Sequence, residues 1–415
     1  HIDVPAYMAA LAAGDAAGAA AIVRRDLPFP GILGRVCPRY CEPVCRRGDL
    51  DEPIAICALH RAAADHSTAT LVPGLPSGRR VAVIGAGPAG LSAAWYLVEK
   101  GHEVTVYDTN QKPGGSLRYS IPEFRLPEKV LDRELEPLWE AGVRFVDDTA
   151  LGYEVTLEGL LDAGFDAVLV GIGTWQTATS KIPGSEAVVE GLDLLRKVRE
   201  GKKVRVTDNV VVIGGGTPAL DAARTVRRLG AASVTVLAPC DAAHLEAGAR
   251  DLAAAREEGV KFEFDVAAKK VKAGKTGRPS AVECVRLGRS KGRTREIKGS
   301  GFETPATMVI SAVSYVPDLG DSGEELKLSS WNTLEANYYT GRTANPGVFA
   351  AGDAVTGARS VIHAVAAGKR SALAIDAWLR GADLVEIEGR LAVYASQPYL
   401  EQVADAARLG ELGER

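Results

Sequence analysis

Residues 81–108 read VAVIGAGPAGLSAAWYLVEKGHEVTVYD, from Val81 to Asp108. The apolar run Val81 to Ile84 has the character of a buried parallel strand. Gly85, Gly87 and Gly90 follow in the pattern G-x-G-x-x-G, with Ala86, Pro88 and Ala89 between them. Helical spacing continues from Leu91 to Glu99, Gly101 closes it, and a second strand, Glu103 to Tyr107, ends on Asp108. Each position has a physical task in dinucleotide binding. Gly85 permits the tight turn, Gly87 lets the backbone approach a pyrophosphate, and Gly90 lets helix and strand pack closely. Free N–H groups of the first helical turn, with the helix dipole, hold phosphate, and Asp108 sits where a carboxylate takes a ribose hydroxyl.

The motif recurs. Residues 210–238 read VVVIGGGTPALDAARTVRRLGAASVTVLA, with Gly214, Gly216 and Ala219 in the three glycine positions and Thr217 and Pro218 opening the helix. Ala is an accepted variant at the third position. Two such units predict two dinucleotides, one tightly held and one exchanged. The second unit's outer strand, Ser233 to Leu237, ends in Ala238-Pro239-Cys240. Neither an acid nor an Arg pair follows directly, so NAD(H) and NADP(H) both stay open. Asp241 lies slightly late but could serve the NAD role.

Composition bounds the remainder. The chain has 415 residues, enough for two or three domains, and a net charge of −4, which leaves no nucleic-acid footprint. The uncharged run Val81 to Val98 approaches the length of a membrane span, but its glycines and Pro88 fit strand–turn–helix better, so no membrane span is expected. No signal peptide is evident. The chain starts at His1 without Met, and an N-terminal piece is expected to be missing.

Four of the six cysteines fall in GRVCPRYCEPVCRRGDLDEPIAIC, as Cys37, Cys41, Cys45 and Cys57. Ala-rich helices broken near Gly14 precede them. Pro38 and Pro43 argue for a loop rather than regular helix. Four soft thiolates in a chain large enough to build its own core point to a metal site, not a disulfide framework, and to a reducing cytoplasm. A 4Fe-4S cluster fits the run-together spacing; zinc and unligated buried thiols remain as alternatives. Arg35, Arg39, Arg46 and Arg47 could offset a thiolate cluster's charge or form a solvated basic face.

Beyond the first motif, Gly114 and Gly115 form a turn where backbone can lie against a cofactor ring. The strand Asp166 to Val170 ends in a glycine turn, GIGTW, that includes Gly173. In VFAAGD, Val348 to Asp353, an apolar strand delivers Gly352 and Asp353 to a loop beside a flavin, and a long helix from Ser360 to Leu379 follows. Its N-terminal dipole could stabilise negative charge on a reduced flavin ring. The basic stretch Arg289 to Lys298 reads as a hairpin rim or solvated loop.

Together GRVCPRYCEPVC, VAVIGAGPAGLSAAWYL, GGSLRYSIPEFRLP, GGGTPALDAARTVRRLGA and GVFAAGDAVTG resemble the small subunit of bacterial glutamate synthase and its relatives. These relatives include the flavin subunit of electron-bifurcating ferredoxin:NADP oxidoreductases and the N-terminal half of dihydropyrimidine dehydrogenase. The resemblance implies an α/β fold with two Rossmann-like dinucleotide-binding domains, of the glutathione-reductase-like FAD and NAD(P) type, preceded by a small α-helical iron–sulfur domain. The implied boundaries are 1–75 for the helical domain, 76–200 and 320–385 for the FAD domain, 201–319 for the NAD(P) domain and 386–415 for a C-terminal tail. By resemblance, FAD contacts fall on Gly85, Gly87, Gly90, Asp108, Gly115, Arg118, Gly352, Asp353 and Val361. Nucleotide contacts fall on Gly214, Gly216, Thr217, Pro218 and Ala219.

Three departures matter. The family carries a further cluster whose cysteines would precede His1, Cys57 supplies a fourth thiolate where some relatives use another side chain, and the Arg pair typical of NADPH recognition is missing after Leu237. The expected activity is electron exchange between a nicotinamide nucleotide and a partner redox subunit carrying the terminal acceptor site, through FAD and a 4Fe-4S cluster. The nicotinamide would dock over the flavin, and no catalytic side chain is required. The alternative is a non-catalytic relay or assembly subunit with a vestigial nucleotide site. Disulfide reduction is disfavoured, because the flavin-proximal segments lack a C-x2-C or C-x4-C pair.

Overall fold

The strand Arg80–Ile84 is buried from Val81 onward, as expected of an apolar run covered on both faces. It lies inside a five-stranded parallel sheet with Glu103–Tyr107 and Arg144–Val146 on one side and Ala167–Val170 and Val348–Ala350 on the other. The last of these strands enters from far along the sequence, in register with Ala167–Val170. Helix Pro88–Glu99 packs through Gly368 onto the long helix Val361–Leu379: a Cβ at Gly368 would lie 2.1 Å from Ala89 O. The computed structural model describes residues 2–177, 182–274, 277–290, 293–313, 315–323 and 325–390. Most of the expected C-terminal tail, from 391 on, lies outside the described residues.

A second five-stranded parallel sheet repeats this order. Asn209–Ile213 lies between Ser233–Leu237 and Met308–Ser311, with Lys261–Glu263 and Val189–Glu190 at the edges. Antiparallel strands Val266–Ala273, Pro279–Ser290, Arg293–Glu296 and Phe302–Pro305 extend this part; within the basic stretch, residues 291 and 292 lie outside the described residues. The core around Val211, Leu237, Val282 and Val309 joins the two sheets.

The chain divides into two compact units. The first holds residues up to Gly115, Glu128–Thr174 and those from Pro317; the second holds Ser116–Pro127 and Trp175–Val316. Two features of this division concern the boundaries implied by sequence. Residues 182–200 fall in the second unit, where Val189–Glu190 pairs with Met308–Ser311 and helix Gly191–Arg199 packs on helix Thr217–Arg228. The N-terminal helices Val4–Ala12, Ala16–Arg24, Pro30–Val36 and Ile56–Asp65 fall within the first unit.

A buried ion pair fastens them there. Glu134, on helix Glu128–Glu140, accepts from Gly31 N–H at 2.6 Å and from Arg24 Nη2 at 3.1 Å, with its own side chain 1% exposed. Lys369 adds a contact to Asp26 at 2.7 Å, and Phe29 meets Trp95 edge-on at 5.9 Å. The break between the first two helices falls where the sequence puts it. Gly14 adopts φ +80°, and Asp3 and Asp15 cap the two helices by accepting from Ala6 and Gly18.

Candidate functional site

In the first glycine turn the three glycines do three different things. Gly85 has φ +104°, and a Cβ there would lie 2.4 Å from Gly171 O, where the turn after Ala167–Val170 comes close. A Cβ at Gly90 would lie 1.9 Å from Gly85 O, so strand and helix touch there backbone to backbone. A Cβ at Gly87 would meet nothing within 4 Å. Gly87 is the N-cap of helix Pro88–Glu99 and faces open space with the helix's unpaired N–H groups behind it, a cradle suited to a pyrophosphate. The residues present therefore fit a dinucleotide. Gly115, at φ +50°, completes the turn: its Cβ would lie 2.7 Å from Gly87 Cα.

Asp108 is held at this turn. Its Oδ2 accepts from Ala86 N–H at 2.6 Å, and its Oδ1 accepts from Asn110 N–H at 2.8 Å and Asn110 Nδ2 at 2.7 Å. Asn110 had no signal in the sequence beyond standing two residues after the acid. Just past the outer strand Gly352, at φ +74°, leaves room for Ala89, and Asp353 is half-buried with Oδ1 accepting from Arg359 N–H at 3.1 Å. Gly173 adopts φ +70° in the turn after Ala167–Val170. Val361 opens the long helix. Arg118 is buried on the short helix Ser116–Tyr119, within the second unit.

The cysteine segment is irregular, as the prolines require. Helix Pro30–Val36 stops before Cys37, Arg39 takes φ +63°, and Cys57 sits in the first turn of helix Ile56–Asp65. Cys37, Cys41 and Cys57 come together. Arg39 N–H donates to Cys37 Sγ at 3.4 Å, and Cys57 hydrogen-bonds to the sulfurs of Cys37 and Cys41. These bonds lower the Cys37 thiol and pull Cys41 down to about 7, while Cys57, the donor, is pushed up. Cys37 and Cys41, both drawn toward the thiolate form, are soft donors of the kind that fit an iron–sulfur group. Cys45 lies on the same loop but outside this hydrogen-bonded set, at the N-cap of the turn Arg46–Asp49. Among the described residues no three His, Cys, Asp or Glu side chains converge on a single-ion site.

Three of the four arginines flanking the cysteines pair with carboxylates. Arg35 pairs with Asp65 at 2.8 Å, Arg39 with Glu42 at 3.3 Å, and Arg47 with Asp51. Glu42 also accepts from Cys57 N–H at 3.0 Å. The Tyr40 ring, between Cys37 and Cys41, meets His363 on helix Val361–Leu379, with centroids 5.5 Å apart.

The second glycine turn is built alike but is less open. Gly214 takes φ +142°, and a Cβ there would lie 2.7 Å from Ala312 O, while Ala219 lies within the buried core. Gly216 caps helix Thr217–Arg228, with Pro218 in its first turn. A Cβ at Gly216 would lie 3.3 Å from Glu246 Oε2. Segment 116–127 is fastened to the same unit. Arg125 reaches Asp221 at 2.7 Å and Asp251 at 3.0 Å, and Phe124 lies under Arg224 and Arg228 at 4.7 Å and 3.9 Å. Periodicity within the segment gave no sign of these partners.

Residues 79–368 match the family of pyridine nucleotide-disulphide oxidoreductases, and residues 1–71 match dihydropyrimidine dehydrogenase domain II, a 4Fe-4S cluster domain. The beta subunit of NADP(+)-dependent formate dehydrogenase from Moorella thermoacetica is 34% identical over 92% of this chain, which spans 59% of that subunit's length. The “Putative glutamate synthase (NADPH) small chain” of Cereibacter sphaeroides is 35% identical, with 85% of this chain and 91% of that one covered. Among solved structures, Mycobacterium tuberculosis FprA in complex with NADPH superimposes with a TM-score of 0.59 at 18% identity, over 80% of this chain and 89% of that one. No helix among the described residues is long and apolar enough to cross a membrane.

Proposed function

The chain belongs to the pyridine nucleotide-disulphide oxidoreductase family, and from that premise we propose that it is an electron-transfer subunit working between a nicotinamide nucleotide and a partner redox subunit. FAD would be held by Gly85, Ala86, Gly87, Pro88, Ala89, Gly90, Asp108, Gly115, Gly173, Gly352, Asp353 and Val361, with Arg118 as a further contact. The nucleotide would be held by Gly214, Gly216, Thr217, Pro218 and Ala219. Cys37, Cys41, Cys45 and Cys57 would hold a 4Fe-4S cluster. Bound FAD supplies hydride acceptance and release of electrons one at a time, and a cluster takes them singly.

The chain's own part is to bind and orient. Gly87 and the N–H groups behind it would receive phosphate, and Asp108, fixed by Ala86 and Asn110 at the end of the second strand, would face a ribose. The observation that carries the reading is the contact of Tyr40 with His363. It joins the cysteine loop to the start of the helix proposed to contact FAD, within one compact unit. Four clustered, unpaired cysteines support residence in a reducing cytoplasm.

Anaerobic stopped-flow mixing with NADH and NADPH tests the proposal. Bleaching of the flavin absorbance by one of them is expected, and if neither bleaches it the proposal fails. One observation favours the second reading, a relay subunit without nucleotide turnover: Glu246 leans on the second glycine turn where the first is open. Calorimetry that detects no binding of either NAD+ or NADP+ to the purified chain would select it.

A further inference from the structure

The loop after Ser233–Leu237 closes over the second glycine turn. A Cβ at Gly215 would lie 3.3 Å from Leu245 Cδ1 and 3.7 Å from Cys240 Sγ, and Ala247 N–H donates to Gly215 O at 3.4 Å. In this architecture the residues just past that strand face the adenine ribose of a dinucleotide bound at the turn. Asp241 stands there in a small charged cluster. Its Oδ1 accepts from His244 N–H at 2.9 Å and lies 2.7 Å from His244 Nδ1, and its Oδ2 lies 3.1 Å from Arg289 Nη1. The same Arg289 Nη1 is 2.9 Å from His244 Nδ1. Arg289 comes from the antiparallel strand Pro279–Ser290, so a cation absent after Leu237 in the sequence arrives from a distant element.

That cation is already engaged. Besides Asp241 it faces Asp265, 4.0 Å from Arg289 Nε. Burial raises the Cys240 thiol, and Asp241, Asp265 and Glu246 raise it further against the pull of Arg289. Asp241 and Asp265 both lie within 4.0 Å of Arg289, and Glu246 stands at the glycine turn, so carboxylates outnumber the guanidinium here. A 2′-phosphate, with close to two negative charges, would enter a field dominated by carboxylates, where like-charge approach is costly. A 2′-hydroxyl would instead donate to Asp241.

We propose that Asp241, held by His244 and Arg289, makes the second unit select NAD(H) over NADP(H). This rests on the nicotinamide-nucleotide reading above. The full-length holoprotein is titrated calorimetrically with NAD+ and with NADP+, alongside Asp241→Asn and Asp241→Asn/Arg289→Ala. Wild type is expected to bind NAD+ at least about tenfold more tightly than NADP+. Asp241→Asn keeps the side chain's shape and frees Arg289, so the ratio should move at least about tenfold toward NADP+. Removing Arg289 as well should cancel that gain. A wild-type preference for NADP+, or an unchanged ratio in Asp241→Asn at an unchanged melting temperature, overturns the assignment of Asp241. If the wild type binds neither nucleotide, the nucleotide reading falls and this inference with it.

Discussion

Asp65 collects three arginines at the end of helix Ile56–Asp65: Arg35 at 2.8 Å, Arg133 at 2.8 Å and Arg61 at 3.4 Å. Burial alone would raise its carboxyl, but the bonds from Arg35 and Arg133 win and hold it at about 2. An unfolded Asp titrates near about 3.9. Its contribution is therefore complete above about pH 4 and lost as pH falls toward about 2, where the folded carboxyl protonates. Chemical denaturation at a series of pH values should show that loss, and Asp65→Asn should flatten this part of the profile. Cys57 makes a different prediction, because it bonds to both Cys37 and Cys41. Cys57→Ser should lower bound iron by at least about tenfold while flavin content stays at wild-type level, read by iron assay and absorbance on anaerobically purified protein. The same substitution at Cys45 tests the one sequence-assigned ligand outside that set.

The glycine turns and the helices that follow them make sharper tests, because neighbouring glycines do separate jobs. Gly87→Ala adds a methyl to open space, so the fold should survive with its melting temperature nearly unchanged while bound FAD is lost. Gly90→Ala drives a Cβ to 1.9 Å from Gly85 O. Backbone must move, at a cost of about 3 kcal/mol or more, so the melting temperature should fall whether or not flavin is present. Equal effects of the two substitutions on stability would refute this division of labour. Helix Glu128–Glu140 carries the fastening of the N-terminal helices, and Glu134→Gln would leave Arg24 buried without its counter-charge. Breaking one side of such a pair costs about 3–5 kcal/mol. The expected signature is proteolytic cleavage between the N-terminal helices and the first sheet under conditions where wild type resists it.

For the molecule as a whole, what the sequence discloses follows the range of the interactions. Strand, glycine turn and helix are local, and both copies of the motif stand where the spacing of Gly85, Gly87, Gly90 and of Gly214, Gly216, Ala219 puts them. Contacts made across long loops left no periodic trace. Glu134 with Arg24, Arg125 with Asp221, and Arg289 with Asp241 each join side chains that no window of sequence holds together. Those contacts assign segment 116–127 and residues 182–200 to the second unit and the N-terminal helices to the first. A unit assembled this way has its own core: one gathers around Ile84, Val168 and Val348, another around Val212, Val236 and Ile310. Separate cores, each serving its own ligand, predict that denaturant unfolds the chain in two transitions rather than one. Because the cysteine loop and the first glycine turn share a unit, iron loss and flavin release should accompany the same transition. Added FAD at a hundredfold excess over its Kd should shift that transition by about 2.7 kcal/mol, and a bound nicotinamide nucleotide should shift the other. Release of iron in the transition that NAD+ protects would mean that the cysteine segment takes its stability from the second unit, and the division drawn through Gly115 and Thr174 would have to be redrawn.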